Sequence, residues 1–274
     1  MNEKAKLAVL KGILRRYRRV LIAFSGGVDS TLLLNIAGAE LGRSNVLAVT
    51  AHSPTYPAGE MAYARKMAAS CGVRHVILTT HETDDERFLA NPPQRCFHCK
   101  MELFAQLSRL AEAERFPFIL DASNADDVQD FRPGRQAGKE FNIQSPLIEA
   151  GMTKQDIRRL SRWMGLDSWN KPANPCLASR VPYGTRITPE ILTLIDRSEK
   201  YLKKLGFETV RVRFHHQLAR IEVDSSQLAR ITSPTIRDRI QRHFKKLGWI
   251  WVTVDLRGYR TGSLNEALAP ASNR

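Results

Sequence analysis

The chain has 274 residues, 43% of them hydrophobic, enough for one large domain or two modest ones. Its formal net charge of +14, from 42 Lys and Arg against 28 Asp and Glu, favours an anionic partner without choosing among nucleotide, phosphorylated small molecule and RNA. No apolar run approaches membrane-spanning length. The start, Met1-Asn2-Glu3-Lys4, lacks the pattern of an export signal, so the chain reads as soluble and the cytoplasm is the expected location. In that compartment the four cysteines, two of them in a CxxC, are expected to serve something other than disulfides.

Leu7, Leu10, Ile13 and Leu14 recur at helical spacing and predict an N-terminal amphipathic helix. The cluster Arg15-Arg16-Tyr17-Arg18-Arg19 at its end reads as a solvated face. Val20-Leu21-Ile22-Ala23-Phe24 has strand length, and Ser25-Gly26-Gly27-Val28-Asp29-Ser30-Thr31 follows as a small-residue turn into a helix carrying Leu32, Leu33, Leu34 and Ile36. The two glycines admit backbone conformations that a side chain forbids, and amides of such a turn at a helix N-terminus cradle an anion. No Lys follows the glycines, so this is not the GxxxxGK[ST] loop. Asp29 is placed to orient a metal ion or the loop itself, and Ser25, Ser30 and Thr31 offer hydroxyls. In this setting SGGVDS resembles the PP-loop of ATP pyrophosphatases, which split ATP into AMP and pyrophosphate and activate a substrate oxygen by adenylylation.

Residues 46–51 read as a second buried strand, 59–71 as a helix, Val76–Thr79 as a third strand, Glu102–Glu114 as a helix and Phe118–Asp121 as a fourth strand. The alternation implies a parallel α/β sheet with helices on both faces, and ligands lie beyond the carboxyl ends of such strands. Those ends carry the glycine turn, Thr50-Ala51-His52-Ser53 as a candidate wall for adenine, and the polar loop Ser123-Asn124-Ala125-Asp126-Asp127 continuing to Asp130-Phe131-Arg132-Pro133-Gly134. Thr153 is expected to cap a helix running to Met164, with Asp156 in its first turn. Prolines 172, 175 and 182 make residues 170–184 irregular, and the domain boundary is expected there, dividing residues 1–170 from 171–263. The second domain reads as a small α+β unit. Its elements are a helix from Thr188 to Leu205, strands Val210–Phe214 and Ala219–Val223, a helix Pro234–Leu247 and a strand Ile250–Val254, with a disordered tail from Leu264 to Arg274.

Cys96-Phe97-His98-Cys99 is expected in a loop after Pro92-Pro93 at the start of a helix, with its two thiols on one side of a turn. Zinc would want four ligands, and there is no second CxxC. Three cysteines and an open position suit a [4Fe–4S] cluster, with Cys176 as the third; a redox pair or two unconnected cysteines are the other readings. Cys176 lies near Arg180, and a neighbouring cation favours the thiolate. Cys71, among small residues, reads as core. Arg211 and Arg213 share one strand face, either clamping a phosphate or forming the solvated side of an edge strand. His215 and His216 point opposite ways, which argues against a paired metal site.

Together SGGVDS, RCFHCK, SNADDVQDFRPG, PLIEAGMTKQDIR and NPCLASRVPYGTRIT resemble the LarE family over roughly residues 5–260. Those proteins are ATP-dependent sulfur transferases that help build the nickel-pincer nucleotide cofactor of lactate racemase. The resemblance implies adenylylation of a carboxylate of pyridinium-3,5-biscarboxylic acid mononucleotide, followed by its conversion to a thiocarboxylate. It implies ATP and Mg2+ at Ala23, Phe24, Ser25, Gly26, Gly27, Asp29, Ser30, Thr50 and Asn124. It places Arg180, Glu199, Arg211 and Arg213 near substrate or phosphate, and Cys176 at the sulfur-donor position. In single-cysteine members that thiol is sacrificed to dehydroalanine; with Cys96 and Cys99 present, the chain resembles members whose three cysteines hold a [4Fe–4S] cluster. A sulfide or sulfur donor is then an expected partner. A PP-loop tRNA thiolase and a non-catalytic nucleotide-binding partner protein are the alternatives, although no recognised RNA motif is present, which argues against nucleic acid. Monomer and homo-oligomer are both left open.

Overall fold

The computed structural model describes residues 2–57, 59–128 and 133–268. It divides into two units. One holds Met1–Ser53, Ala58–Phe88 and Pro93–Ala173; the other holds Asn174–Arg274 with the short pieces Pro54–Pro57 and Leu89–Pro92.

In the first unit, α1 (Glu3–Tyr17) leads to β1 (Val20–Ala23), α2 (Val28–Leu41), β2 (Val46–His52), α3 (Glu60–Ser70), β3 (Arg74–Thr79), α4 (Glu86–Leu89), α5 (Arg95–Ala113), β4 (Phe118–Leu120), α6 (Gly134–Glu140), α7 (Pro146–Glu149) and α8 (Lys154–Trp163). The strands form one sheet in the order β3-β2-β1-β4, every pairing parallel. Both faces are covered. Val20, Ile22, Val46 and Ala48 face one core with Leu10, Leu14, Leu33 and Ile157, while Leu21 and Leu47, which strand alternation turns the other way, are also fully buried. Fully parallel pairing with helical crossovers is what places the strand ends, and so the ligand loops, on a common edge.

Thr153 caps α8 through a complete capping box with Asp156. The structure corrects one helix boundary. α5 begins at Arg95, not Glu102, so Cys96 and Cys99 sit in its first turn. Pro92 and Pro93 lie ahead of the Gln94 N-cap, where they leave the helix intact.

In the second unit, α9 (Pro189–Lys204) is followed by β5 (Val210–His215), β6 (Leu218–Val223), α10 (Leu228–Thr232), α11 (Pro234–Leu247) and β7 (Trp251–Val254). The sheet order is β5-β6-β7, with β5 and β6 antiparallel and β6 and β7 parallel. Trp249 is buried against Phe214, ring centroids 5.8 Å apart, and its Nε1 donates to Ser198 Oγ at 2.9 Å. The tail expected to be disordered is ordered over its first residues. Ser263–Leu268 form a 3-10 turn, held where Tyr183 Oη donates to Asn265 Oδ1 at 3.0 Å and Arg260 pairs with Glu266 at 3.1 Å. Residues 269–274 lie outside the described residues.

Candidate nucleotide site and cysteine turn

The β1–α2 turn is built for close backbone approach. Phe24 N donates to Val49 O at 2.8 Å, continuing the β1–β2 ladder one residue past the strand. Gly26 then takes φ +69°, and a Cβ there would lie 2.8 Å from Ala64 Cα. Both observations require glycine. Gly27 is the N-cap of α2 and offers no side chain to cap it. The first-turn amides therefore face the turn without a capping side chain, which is the arrangement that holds a phosphate. Ser25 Oγ and Ser30 Oγ are 3.2 Å apart, Ser30 Oγ donates to Gly27 O at 3.2 Å, and Gly27 N donates to Ser25 Oγ at 3.3 Å, which fixes the turn from inside. Thr31 is fully buried in α2, and its Oγ1 has no hydrogen-bond partner among the described residues.

Asp29 projects from the first turn of α2. Its Oδ2 accepts from Lys154 Nζ at the start of α8, while its Oδ1 is buried without a hydrogen-bond partner among the described residues. Burial raises the Asp29 carboxyl above its ordinary range, and the nearby Lys154 works against that rise. An oxygen held bare beside a phosphate cradle is suited to a divalent cation.

Thr50, at the end of β2, donates its hydroxyl to Phe24 O at 2.7 Å, so the 2.8 Å contact between Thr50 Oγ1 and His75 Nε2 has the imidazole N–H as donor. Burial, aided by Arg65, lowers the His75 pKa and keeps the ring neutral. Asn124 Oδ1 accepts from Asp126 N at 3.0 Å, and Asn124 N donates to Asp127 Oδ2 at 3.0 Å. Lys154 N donates to Asp126 Oδ2 at 2.8 Å. The structure thus gathers Ser25, Asp29 and Ser30 with Asp126, Asp127 and Lys154. Sequence reasoning passed over Lys154 and His75. The signal for Lys154 was present: a cation in a helix's first turn opposes the helix dipole and wants a separate reason. The expected loop residues Asp130, Phe131 and Arg132 lie outside the described residues.

Cys96 is exposed and Cys99 half-buried, one helical turn apart at the start of α5 in the first unit. Cys176 is half-buried in the second unit. Cys71 is core, and burial raises its thiol pKa. None of the four is in a disulfide, and among the described residues no group of three or more His, Cys, Asp or Glu is gathered to hold a metal. As a donor set, three cysteine sulfurs outside any disulfide match an iron–sulfur cluster better than zinc.

Cys176 opens a 3-10 turn, Leu177–Arg180, and Leu177 N is tied to Thr55 O at 2.7 Å. Arg180 is fully buried. Its Nη1 donates to the carbonyls of Pro175 and Cys176, at 2.5 and 3.0 Å, and its Nε and Nη2 grip Glu199 at 2.9 and 3.0 Å. Glu199 Oε1 also accepts from Val212 N at 3.0 Å. Arg213 Nη1 donates to Ser179 O at 2.8 Å, and its Nη2 meets Glu222 at 2.7 Å and Ser263 Oγ at 2.9 Å. The Arg211 guanidinium lies 5.0 Å from the centre of the Tyr259 ring. β5 is an edge strand, but its arginine face is not solvated: Arg211 and Arg213 are only 3% and 5% exposed. The expected phosphate ligands Arg180, Glu199 and Arg213 therefore have internal partners, and they converge on the backbone that carries Cys176.

The family model for asparagine synthase matches residues 9–98, a span from α1 through the glycine turn to the first turn of α5. An uncharacterised protein of Synechocystis is 41% identical over 265 residues, 97% of this chain and 98% of that protein. The pyridinium-3,5-bisthiocarboxylic acid mononucleotide synthase of Lactiplantibacillus plantarum is 38% identical over 266 residues, 97% of this chain and 96% of that enzyme. An uncharacterised protein of Methanocaldococcus jannaschii is 29% identical over 259 residues, 93% of this chain and 98% of that one.

Proposed function

Given that the chain belongs to the LarE family, the pyridinium-3,5-bisthiocarboxylic acid mononucleotide synthases of the PP-loop superfamily, we propose that it is an ATP-dependent sulfur transferase acting on pyridinium-3,5-biscarboxylic acid mononucleotide. The observation that carries this reading is the glycine turn, with an uncapped helix N-terminus beside the bare Oδ1 of Asp29. A substrate carboxylate oxygen attacks the α-phosphorus of ATP, the α–β phosphoanhydride bond breaks, and pyrophosphate leaves. The turn amides, with Ser25, Gly26, Gly27 and Ser30, hold the departing phosphates, where fixed N–H dipoles stabilise developing charge. Asp29 is the residue that would hold Mg2+, which when bound would offset the charge of the phosphates. Thr50 fixes the Phe24 carbonyl, and Ala23, Phe24 and Asn124 line the nucleotide.

Sulfur delivery centres on Cys176. Cys96, Cys99 and Cys176 are the residues that would hold a [4Fe–4S] cluster; when bound, it supplies an iron without a protein ligand and hence a place for labile sulfide. Cysteines outside any disulfide fit the reducing cytoplasm, with sulfide or a sulfur-donor protein as the source. A second reading rests on Cys176 alone, half-buried at the opening of its 3-10 turn. In it, Cys176 Sγ attacks the acyl carbonyl and AMP leaves. Loss of a proton from Cα with cleavage of Cβ–Sγ then yields the thiocarboxylate and dehydroalanine.

Anaerobic iron and acid-labile sulfide analysis tests the cluster. About four irons per chain are expected in the wild type, with loss in Cys96→Ala, Cys99→Ala and Cys176→Ala. Stoichiometric zinc without iron contradicts it. A protein lighter by one hydrogen sulfide after a single turnover selects the sacrificial route.

A further inference from the structure

We propose that Glu222 and Ser263 are positioning residues for Cys176, acting through Arg213. Glu222 is fully buried on β6. Its Oε2 accepts from Arg213 Nη2 at 2.7 Å, and its Oε1 accepts from Ser263 Oγ at 3.3 Å and from Arg220 Nη2 at 3.2 Å. Ser263 Oγ in turn accepts from Arg213 Nη2 at 2.9 Å. The guanidinium is thereby fixed in plane, and its other terminal nitrogen donates to Ser179 O at 2.8 Å. Ser179 N donates to Cys176 O at 3.0 Å. A continuous path of hydrogen bonds therefore runs from Glu222 and Ser263 through Arg213 to the turn that opens at Cys176. It enters that turn at the Ser179 carbonyl, while Arg180 holds the Cys176 carbonyl and Ser179 Oγ, both at 3.0 Å.

Ser263 is brought there by a strap laid across β6. Tyr259 N donates to Val223 O at 2.7 Å, and Gly258, at φ +67°, approaches so closely that a Cβ would lie 2.7 Å from that same carbonyl. The strap also carries Tyr259 over Arg211. A buried ion pair is weak evidence for stability, because well-packed apolar groups serve as well. Its strength is directional: a planar fork with several fixed donors holds a backbone carbonyl in one place. A fork held by two side chains and directed at the turn of a half-buried cysteine is suited to setting the orientation of that thiol.

The proposal rests on the reading of Cys176 as the sulfur-handling residue, but its test need not. The full chain, freed of metal with chelator, is treated with iodoacetamide, and the rate at each cysteine is followed by peptide mass mapping. Cys96, in the other unit, is the internal control. Ser263→Ala is expected to speed alkylation of Cys176 by about fivefold, the change in local opening that one lost hydrogen bond permits, with the Cys96 rate unchanged. Ser263→Thr, which keeps the hydroxyl, is expected to restore the wild-type rate. Glu222→Gln is expected to act in the same direction as Ser263→Ala. In turnover, Ser263→Ala is expected to lower kcat while leaving KM for ATP unchanged. An unaltered Cys176 rate in Ser263→Ala, or parallel acceleration at Cys96, overturns the proposal. If the wild type shows no substrate-dependent use of ATP, the functional reading fails while the alkylation result still decides the positioning role.

Discussion

Arg180 Nη1 donates to the Cys176 carbonyl at 3.0 Å while Nε and Nη2 of the same guanidinium donate to the two carboxylate oxygens of Glu199. The pair is buried, with side chains 0% and 3% exposed. Removing one partner leaves the other charged and desolvated. Glu199→Ala should therefore cost about 3–5 kcal/mol in urea unfolding. Replacing both residues, Arg180→Met with Glu199→Leu, should cost less than either single change. If Glu199→Ala has an unaltered midpoint, the clamp is not what holds this turn.

Gly26→Ala meets two obstacles: a left-handed backbone and a contact of 2.8 Å with Ala64 Cα. The backbone alone costs about 1–2 kcal/mol. The turn must shift to accept the methyl group, and the amides then lose their aim at a phosphate. Calorimetric titration should show ATP binding abolished or weakened more than tenfold, together with a lower Tm. ATP affinity equal to wild type would remove the turn from the nucleotide site.

Asp29 should display a trade between stability and binding. Burial raises its carboxyl above 3.8, so the folded chain holds this proton to higher pH than the unfolded chain. Its contribution to stability is complete below 3.8 and is lost as pH rises through the raised pKa. Asp29→Asn escapes that loss. The variant should have a higher Tm than wild type at pH 7, with the gain shrinking as pH falls toward 3.8, and should bind MgATP more weakly. A Tm below wild type at pH 7 contradicts the sign.

Lys154 is the cation that partly offsets the burial of Asp29. Lys154→Met should lower Tm at neutral pH by leaving that carboxylate alone, and Asp29→Asn in the same chain should restore it. Thermal melts of the two single variants and the double variant measure this coupling; simple additivity would show that the two side chains act independently.

The glycine turn between β1 and α2 was legible because its determinants are local: an apolar strand, two glycines and a helix within a dozen residues. The capping box at Thr153 and the helix Pro234–Leu247 were legible for the same reason. The arginines of β5 were not. Period two placed Arg211 and Arg213 on one face, but what covers that face comes from Tyr259 and Ser263, far along the chain. A guanidinium's partner depends on tertiary packing, which strand periodicity does not carry. The helix was begun at Glu102 and the CxxC left in the loop after Pro92-Pro93, whereas α5 starts at Arg95; prolines ahead of an N-cap do not oppose a helix.

The most direct measurement is pyrophosphate release from MgATP in the presence and absence of pyridinium-3,5-biscarboxylic acid mononucleotide, with mass analysis of the product. The account predicts release that requires the mononucleotide, and a product in which one carboxylate oxygen is replaced by sulfur, lost in Cys176→Ala. Pyrophosphate release indifferent to the mononucleotide, or a thiocarboxylate formed undiminished by Cys176→Ala, would contradict it.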